Sequence, residues 1–182
     1  MKKIIIFPTD TVYGIGCSVF DKTSIKKIYE IKHRPIDKPL AVLCANISQI
    51  DSIAYLNDKA KRLINKYLPG PLTVIIKAKD NIKESMGLDM VGVRIPNSKV
   101  ALDILEKYGP MATTSVNESG CVPLNEYDLI VKEYNKLVDC IYKSEEKSSN
   151  ISSTVVKILD DVTLIREGEI SFEDIKKELN NV

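Results

Sequence analysis

Tryptophan is absent, histidine occurs once, and aromatic residues make up 6% of the 182 residues. So little stacking surface argues against a binder of single-stranded nucleic acid that works by base stacking. The four cysteines, Cys17, Cys44, Cys121 and Cys140, form no C-x-x-C pair, and only His33 is present to join them. No metal site is expected from that set, and reduced thiols are the default. Long apolar runs are missing too. Ile4-Ile5-Ile6-Phe7 behind Lys2-Lys3 starts like a signal peptide, but Pro8-Thr9-Asp10 stops it after four residues, and no other stretch is long enough to span a bilayer. No membrane association is expected, and the cytoplasm is the expected location.

Familiar catalytic signatures are equally scarce. There is no G-x-x-x-x-G-K-[ST], and Gly14-Ile15-Gly16 fails G-x-G-x-x-G because Val19 stands at the third glycine position. There is no G-x-S-x-G, and His33, wedged between Lys32 and Arg34, is poorly placed for a Ser-His-Asp triad. Charge of one sign is not in excess, since the net charge is +1. The even total hides a division: residues 1–116 carry 18 basic and 11 acidic side chains, and 117–182 carry 8 and 14, a split of +7 against −6. An anionic ligand should prefer the first part.

What the chain does have is enough apolar residue, 44%, for one folded core. Ile4–Phe7, Leu40–Leu43, Leu72–Ala78, Met90–Ile95, Met111–Val116, Val138–Tyr142, Ser153–Leu159 and Val162–Arg166 read as strands. Helices are expected from an Asp21 or Thr23 cap through Ile25, Ile28 and Tyr29, over Ser48–Leu56, Asn57–Leu68, Lys99–Lys107 and Glu126–Leu137, and at Phe172–Leu179. Lys143–Ser152 reads as a polar loop. Alternating elements with short connections predict one α/β domain over 1–182 with a mixed, twisted sheet.

Four polar clusters sit at ends of these elements. Pro8-Thr9-Asp10-Thr11-Val12-Tyr13-Gly14 is either an ordinary turn or a set of ligand-facing hydroxyls, carboxylate and phenol. Lys32-His33-Arg34-Pro35 leaves a helix with two cations, which either complement the helix dipole for about 1 kcal/mol at most or bind phosphate. Arg94, within the apolar run Val93-Arg94-Ile95-Pro96, needs a protein carboxylate or an anionic ligand, because a buried unpaired charge is costly. Thr113-Thr114-Ser115-Val116-Asn117-Glu118-Ser119-Gly120 is either a self-satisfied turn or a donor-rich edge for phosphate and ribose.

Taken in order, Pro8-Thr-Asp-Thr-Val-Tyr-Gly14, Lys32-x-Arg34-Pro35, Lys38-Pro39-Leu40, Pro69-Gly-Pro-Leu-Thr73, Val93-Arg94-Ile-Pro96, Ser115-x-Asn117-x-Ser-Gly120, Ser153-Thr154-Val155 and Ile165-Arg166-x-Gly168 closely resemble the threonylcarbamoyl-AMP synthase family, the YrdC-like domain. The match runs over nearly the whole chain. The resemblance implies a twisted, open α/β barrel flanked by helices, with a positively charged central cavity. It implies synthesis of L-threonylcarbamoyladenylate and pyrophosphate from L-threonine, bicarbonate and ATP, with Mg²⁺ accompanying ATP and no protein nucleophile. The product would serve N6-threonylcarbamoylation of adenosine 37 in tRNA, so tRNA and the downstream threonylcarbamoyl-transfer proteins are implied partners. By similarity, Thr11, Tyr13, Arg94 and Ser153 would hold threonine. Lys32, Arg34, Ser115, Asn117 and Arg166 would hold ATP, the first two neutralising phosphate charge.

The pattern departs from the family's at Lys38, Leu43, Met90, the longer turn Gly120-Cys121-Val122-Pro123, and Ser152, which replaces a proline. Longer relatives carry a further C-terminal domain, and 182 residues suit the short form. Two alternatives stand beside the synthase. One is a module of this fold that binds double-stranded RNA or tRNA without adenylating anything. The other is carbamoyl-adenylate chemistry with a different acceptor, which is found in much longer chains.

Overall fold

Two β-branched residues and a phenylalanine ahead of Pro8 form a short, fully buried strand, β1 (Ile5–Phe7). The chain then reverses into β2 (Gly14–Ser18), antiparallel to β1 with Ile5 opposite Gly16. The computed structural model describes residues 3–180. Met1, Lys2, Asn181 and Val182 lie outside the described residues, and with them the first lysine of the opening run and both ends of the expected 1–182 domain.

The expected first helix is α1 (Lys22–Ile31), capped by Asp21, whose carboxylate accepts from the Ser24 amide. Next come β3 (Ala41–Leu43), α2 (Ile47–Ile53), α3 (Asp58–Tyr67) and β4 (Leu72–Lys77). Asn46 and Asn57 cap the two helices through their side-chain oxygens, and a capped amide of this kind is worth about 1 kcal/mol. After α4 (Asp80–Met86), β5 (Met90–Arg94), α5 (Lys99–Tyr108) and β6 (Met111–Ser115) follow. The chain ends with α6 (Tyr127–Tyr134), β7 (Cys140–Ile141), β8 (Thr154–Ile158), β9 (Val162–Arg166) and α7 (Phe172–Asn180).

The nine strands among the described residues join one sheet in the order β7-β1-β2-β6-β3-β5-β4-β8-β9. The pairs β1·β7, β3·β5 and β4·β8 are parallel and the rest antiparallel, which makes the sheet mixed as expected. One apolar cluster gathers Ile5, Phe7, Leu43, Ala101, Ile104, Leu105 and Met111 between the sheet and α5. The larger cluster includes Ile15, Ile28, Ile50, Leu63, Val74, Val93 and Ile130.

Two elements depart from the sequence expectation by their existence. No strand is expected over β2: only its first residue, Gly14, falls in a cluster read as a possible turn, and its two glycines carry little strand propensity. It forms because β6 comes close: a Cβ on Gly16 would lie 2.6 Å from Thr113 Oγ1 and 3.0 Å from the Ala112 carbonyl oxygen. Helix α4 was not expected, and it closes at Gly87 with φ +71, the left-handed conformation that suits glycine at a helix end. Other differences lie in length. Helix α2 stops at Ile53 because Ala54 bridges to Ala78 and the Tyr55 amide donates to Lys77 O. Strand β7 keeps two residues, since Asp139 and Tyr142 only flank its pairing with β1 through bonds to Ile4 O and Ile6 O.

Candidate active site

Residues of β2 and β9 line the same cavity, of about 620 Å³. Six inter-strand steps of about 4.8 Å would put those strands about 29 Å apart in a flat sheet, so the sheet curls round the space. Gly14, Ala41, Thr73, Ile75, Gly92 and Thr113 supply its strand-borne wall. Gly92 keeps that wall low where β5 meets β4, since a Cβ there would sit 3.2 Å from Thr73 Cγ2.

Arg94, at the end of β5, is 5% exposed and lines this cavity. Its Nε donates to Gly70 O at 2.9 Å, Nη1 to Thr11 Oγ1 at 2.8 Å and Nη2 to Asp10 Oδ1 at 2.5 Å. Sequence alone left open whether a protein carboxylate or a ligand meets Arg94. Asp10 meets it, and a guanidinium with five N–H groups still has two to offer a ligand. Burial pulls the Arg94 pKa down and Asp10 pushes it back up; the group stays cationic at any working pH.

Thr11 is almost fully buried, and its hydroxyl also meets Thr9 Oγ1 at 3.0 Å. Tyr13 lines the cavity, and burial raises its phenol pKa. Ser153, immediately before β8, shares a 2.8 Å hydrogen bond with Thr73 Oγ1 across the β4·β8 pair. The four residues expected at threonine, Thr11, Tyr13, Arg94 and Ser153, therefore line one space.

The residues expected at ATP divide. Arg34 lines the cavity, its Nε held by Lys38 O at 2.7 Å and its Nη2 by Pro39 O at 3.2 Å. Arg166 also lines it, but it is joined to the threonine set: Nη2 donates to Ser153 O at 2.8 Å and to Ser153 Oγ at 3.3 Å. Ser115 lines the wall, while Lys32 and Asn117 stand behind it. Lys32, expected as part of the phosphate clamp, does not line the cavity in this structure. Its Nζ is buried and donates to Ser115 O at 2.5 Å, Asn117 O at 2.5 Å and Asn117 Oδ1 at 2.8 Å, so its three protons are used inside the protein. Burial, and secondarily Arg34, push its pKa down to about 8. The ammonium braces the Ser115–Asn117 turn, with Ser115 Oγ also bonded to Asn117 Oδ1 at 2.8 Å.

Sequence reasoning did not single out Asp10 as the partner of Arg94 or Thr73 as the partner of Ser153. Both lie inside motifs already quoted, yet nothing local says which side chain faces which. Cationic Arg34, Lys38, Arg94 and Arg166 line the cavity against one carboxylate, Asp37. Among the described residues no group of three or more His, Cys, Asp or Glu is placed to hold a metal ion. The arrangement suits binding of two anions side by side, with neutral hydroxyls between them.

A curled mixed sheet around a cationic, hydroxyl-lined cavity defines a class of small-molecule-binding α/β domain. The chain belongs to the Sua5/YciO/YrdC family, whose model, described as telomere recombination, matches residues 1–168. A Methanocaldococcus jannaschii relative is 38% identical over 176 residues, which is 96% of this chain and 84% of the relative. The threonylcarbamoyl-AMP synthase of Pyrococcus abyssi is 31% identical over 185 residues, covering 99% of this chain. This chain spans about half of that relative, 54%. The solved structure of P. abyssi Sua5 complexed with L-threonine superposes with TM-score 0.91 at 31% identity, over 99% of this chain and 54% of that one. Escherichia coli YciO superposes with TM-score 0.85 at 26% identity, over 95% of this chain and 86% of that one. The resemblance read from the motifs and the mixed α/β fold both hold.

Proposed function

We propose that this chain is an L-threonylcarbamoyladenylate synthase, a nucleotidyltransferase acting on L-threonine, bicarbonate and ATP. The observation that carries the reading is the Arg94 clamp. A buried guanidinium, braced by Asp10, Thr11 and Gly70, keeps two N–H groups for an amino-acid carboxylate. The relative whose structure holds L-threonine supports the choice of amino acid. We propose residues 1–182 as one YrdC-like domain.

The threonine amine and bicarbonate condense to N-carboxythreonine with loss of water. Its new carboxylate attacks the α-phosphorus of ATP, forming the P–O bond of a mixed anhydride as the bond to pyrophosphate breaks. Pyrophosphate leaves with the electron pair. The protein's part is to hold two anions in line and offset the charge gathering on the phosphate oxygens. Arg94, Thr11, Tyr13 and Ser153 hold threonine in this reading. Arg34 and Ser115 face the nucleotide, with Asn117 and Lys32 ordering Ser115 from behind. Arg166, tied to Ser153, stands where the two substrates meet. Mg²⁺ would be held by the phosphate oxygens of ATP, which would supply the hard oxygen ligands it prefers.

The product is a reactive anhydride suited to transfer onto the N6 amine of adenosine 37 in tRNA, so tRNA and the proteins that complete the transfer are its proposed partners. No helix among the described residues is long and apolar enough to cross a membrane, and we place the reaction in the cytoplasm. The test is pyrophosphate release by the pure protein. Release that requires both threonine and bicarbonate is expected, and release indifferent to threonine overturns the reading.

A further inference from the structure

The loop 143–152 has no regular structure, yet at Ser149 and Asn150 it is tied to the segment that carries Thr11 and Tyr13. The Ser149 amide donates to Asp10 O at 2.9 Å and the Asn150 amide to Thr11 O at 3.0 Å. Asn150 holds φ +61, a left-handed conformation that asparagine adopts more readily than other side-chain-bearing residues.

Its side chain has a task beyond that turn. Asn150 Oδ1 accepts from Asn125 Nδ2 at 2.8 Å and from Ser148 Oγ at 3.1 Å, while Asn125 Oδ1 accepts the Tyr13 amide at 3.0 Å. A backbone N–H can only donate, so the atom of Asn125 facing Tyr13 must be its oxygen, and its NH₂ must point to Asn150. The amides form one chain from the loop to Tyr13, and neither of them lines the cavity.

We propose that Asn125 and Asn150 are positioning residues for the threonine half of the cavity, holding the Asp10–Tyr13 segment so that Arg94 stays aimed. The proposal rests on the synthase reading. Asp10 and Thr11 anchor two of the three protein bonds of Arg94, so a slip of this segment turns the guanidinium away from a carboxylate. Small misplacements of this kind cost binding and rate steeply. The nucleotide wall at Ser115 meets this segment through the Val116 amide and Tyr13 O, but it has further braces in Lys32 and Asn117, so the larger loss should fall on threonine.

Steady-state kinetics on the full chain, reading pyrophosphate, test this with two variants. Asn150→Gly keeps the left-handed backbone and removes the amide. Asn125→Asp keeps the acceptor for the Tyr13 N–H and turns a carboxylate oxygen toward Asn150 Oδ1. Each should raise KM for threonine about three- to tenfold, the range for one lost hydrogen bond, with KM for ATP within about twofold of wild type. If Asn150→Gly does not fold, Asn125→Asp carries the same comparison. A wild type that releases no threonine-dependent pyrophosphate overturns the synthase reading and this proposal with it. A working wild type matched by the variants, or variants that raise both KM values in parallel, overturns the proposal alone.

Discussion

Asp10 Oδ1 lies 2.5 Å from Arg94 Nη2, a contact between side chains 84 residues apart in the chain and both largely withdrawn from solvent. Residues on a loop and at the end of β5 thus meet as a buried ion pair. The pair orders the cation and leaves part of it free. Removing one partner of such a pair strands the other charge, which is why it gives the first prediction.

Asp10→Asn keeps the shape and discards the charge. It should lower folding stability by about 3 kcal/mol, the lower end for breaking a buried pair, and raise KM for threonine. Thermal unfolding beside threonine titration checks both. An unchanged melting temperature would show that Arg94 finds its counter-charge elsewhere.

Arg94→Ala and Arg34→Ala should separate the substrates. The first raises KM for threonine by about 10- to 100-fold, as expected for lost charge-assisted hydrogen bonds, and leaves ATP affinity nearly intact. The second does the reverse. Equal threonine affinity in wild type and Arg94→Ala would remove the role given to Arg94.

Lys32 makes a pH prediction with two signs. Its folded pKa of about 8 lies below the unfolded value near 10.4, so between them the folded chain binds fewer protons and this group favours folding increasingly as pH rises. Binding moves the other way, because deprotonation withdraws positive charge from behind Ser115. KM for ATP should climb between about pH 7 and about pH 9 in the wild type, whereas Lys32→Met, already lacking the charge, should give a flat profile. Parallel profiles would dissociate Lys32 from ATP binding.

Gly16→Ala would drive a methyl group into Thr113 Oγ1 and the Ala112 carbonyl. A loss of about 1–3 kcal/mol is expected, typical of overpacking. Thr113→Ala in the same chain should recover part of it by removing the nearer contact. Chemical denaturation measures the cycle, and full stability in Gly16→Ala would mean β2 and β6 separate at little cost.

The helices other than α4 were readable because their signals are local. Asp21 before α1 and Ser98 before α5 cap helices whose apolar positions recur at helical spacing, and neither depends on the rest of the fold. Strand β2 shows the opposite case. Its glycines look like turn residues until β6 is laid beside them, and the reason for Gly16 is an oxygen on a residue almost a hundred positions away.

The site divides the same way. Sequence by itself determined the order and residue types of the polar clusters, the asymmetry of charge that favours an anion, and the resemblance that names the chemistry, since all of these are properties of the chain as written. Tertiary structure decided that Arg94 is braced by Asp10, that Lys32 stands behind Ser115 and not in the cavity, and that Arg166 joins Ser153. The physical reason is that a side chain's protons go to whichever acceptors the curled sheet brings within about 3 Å, and strand order, not spacing along the chain, selects them.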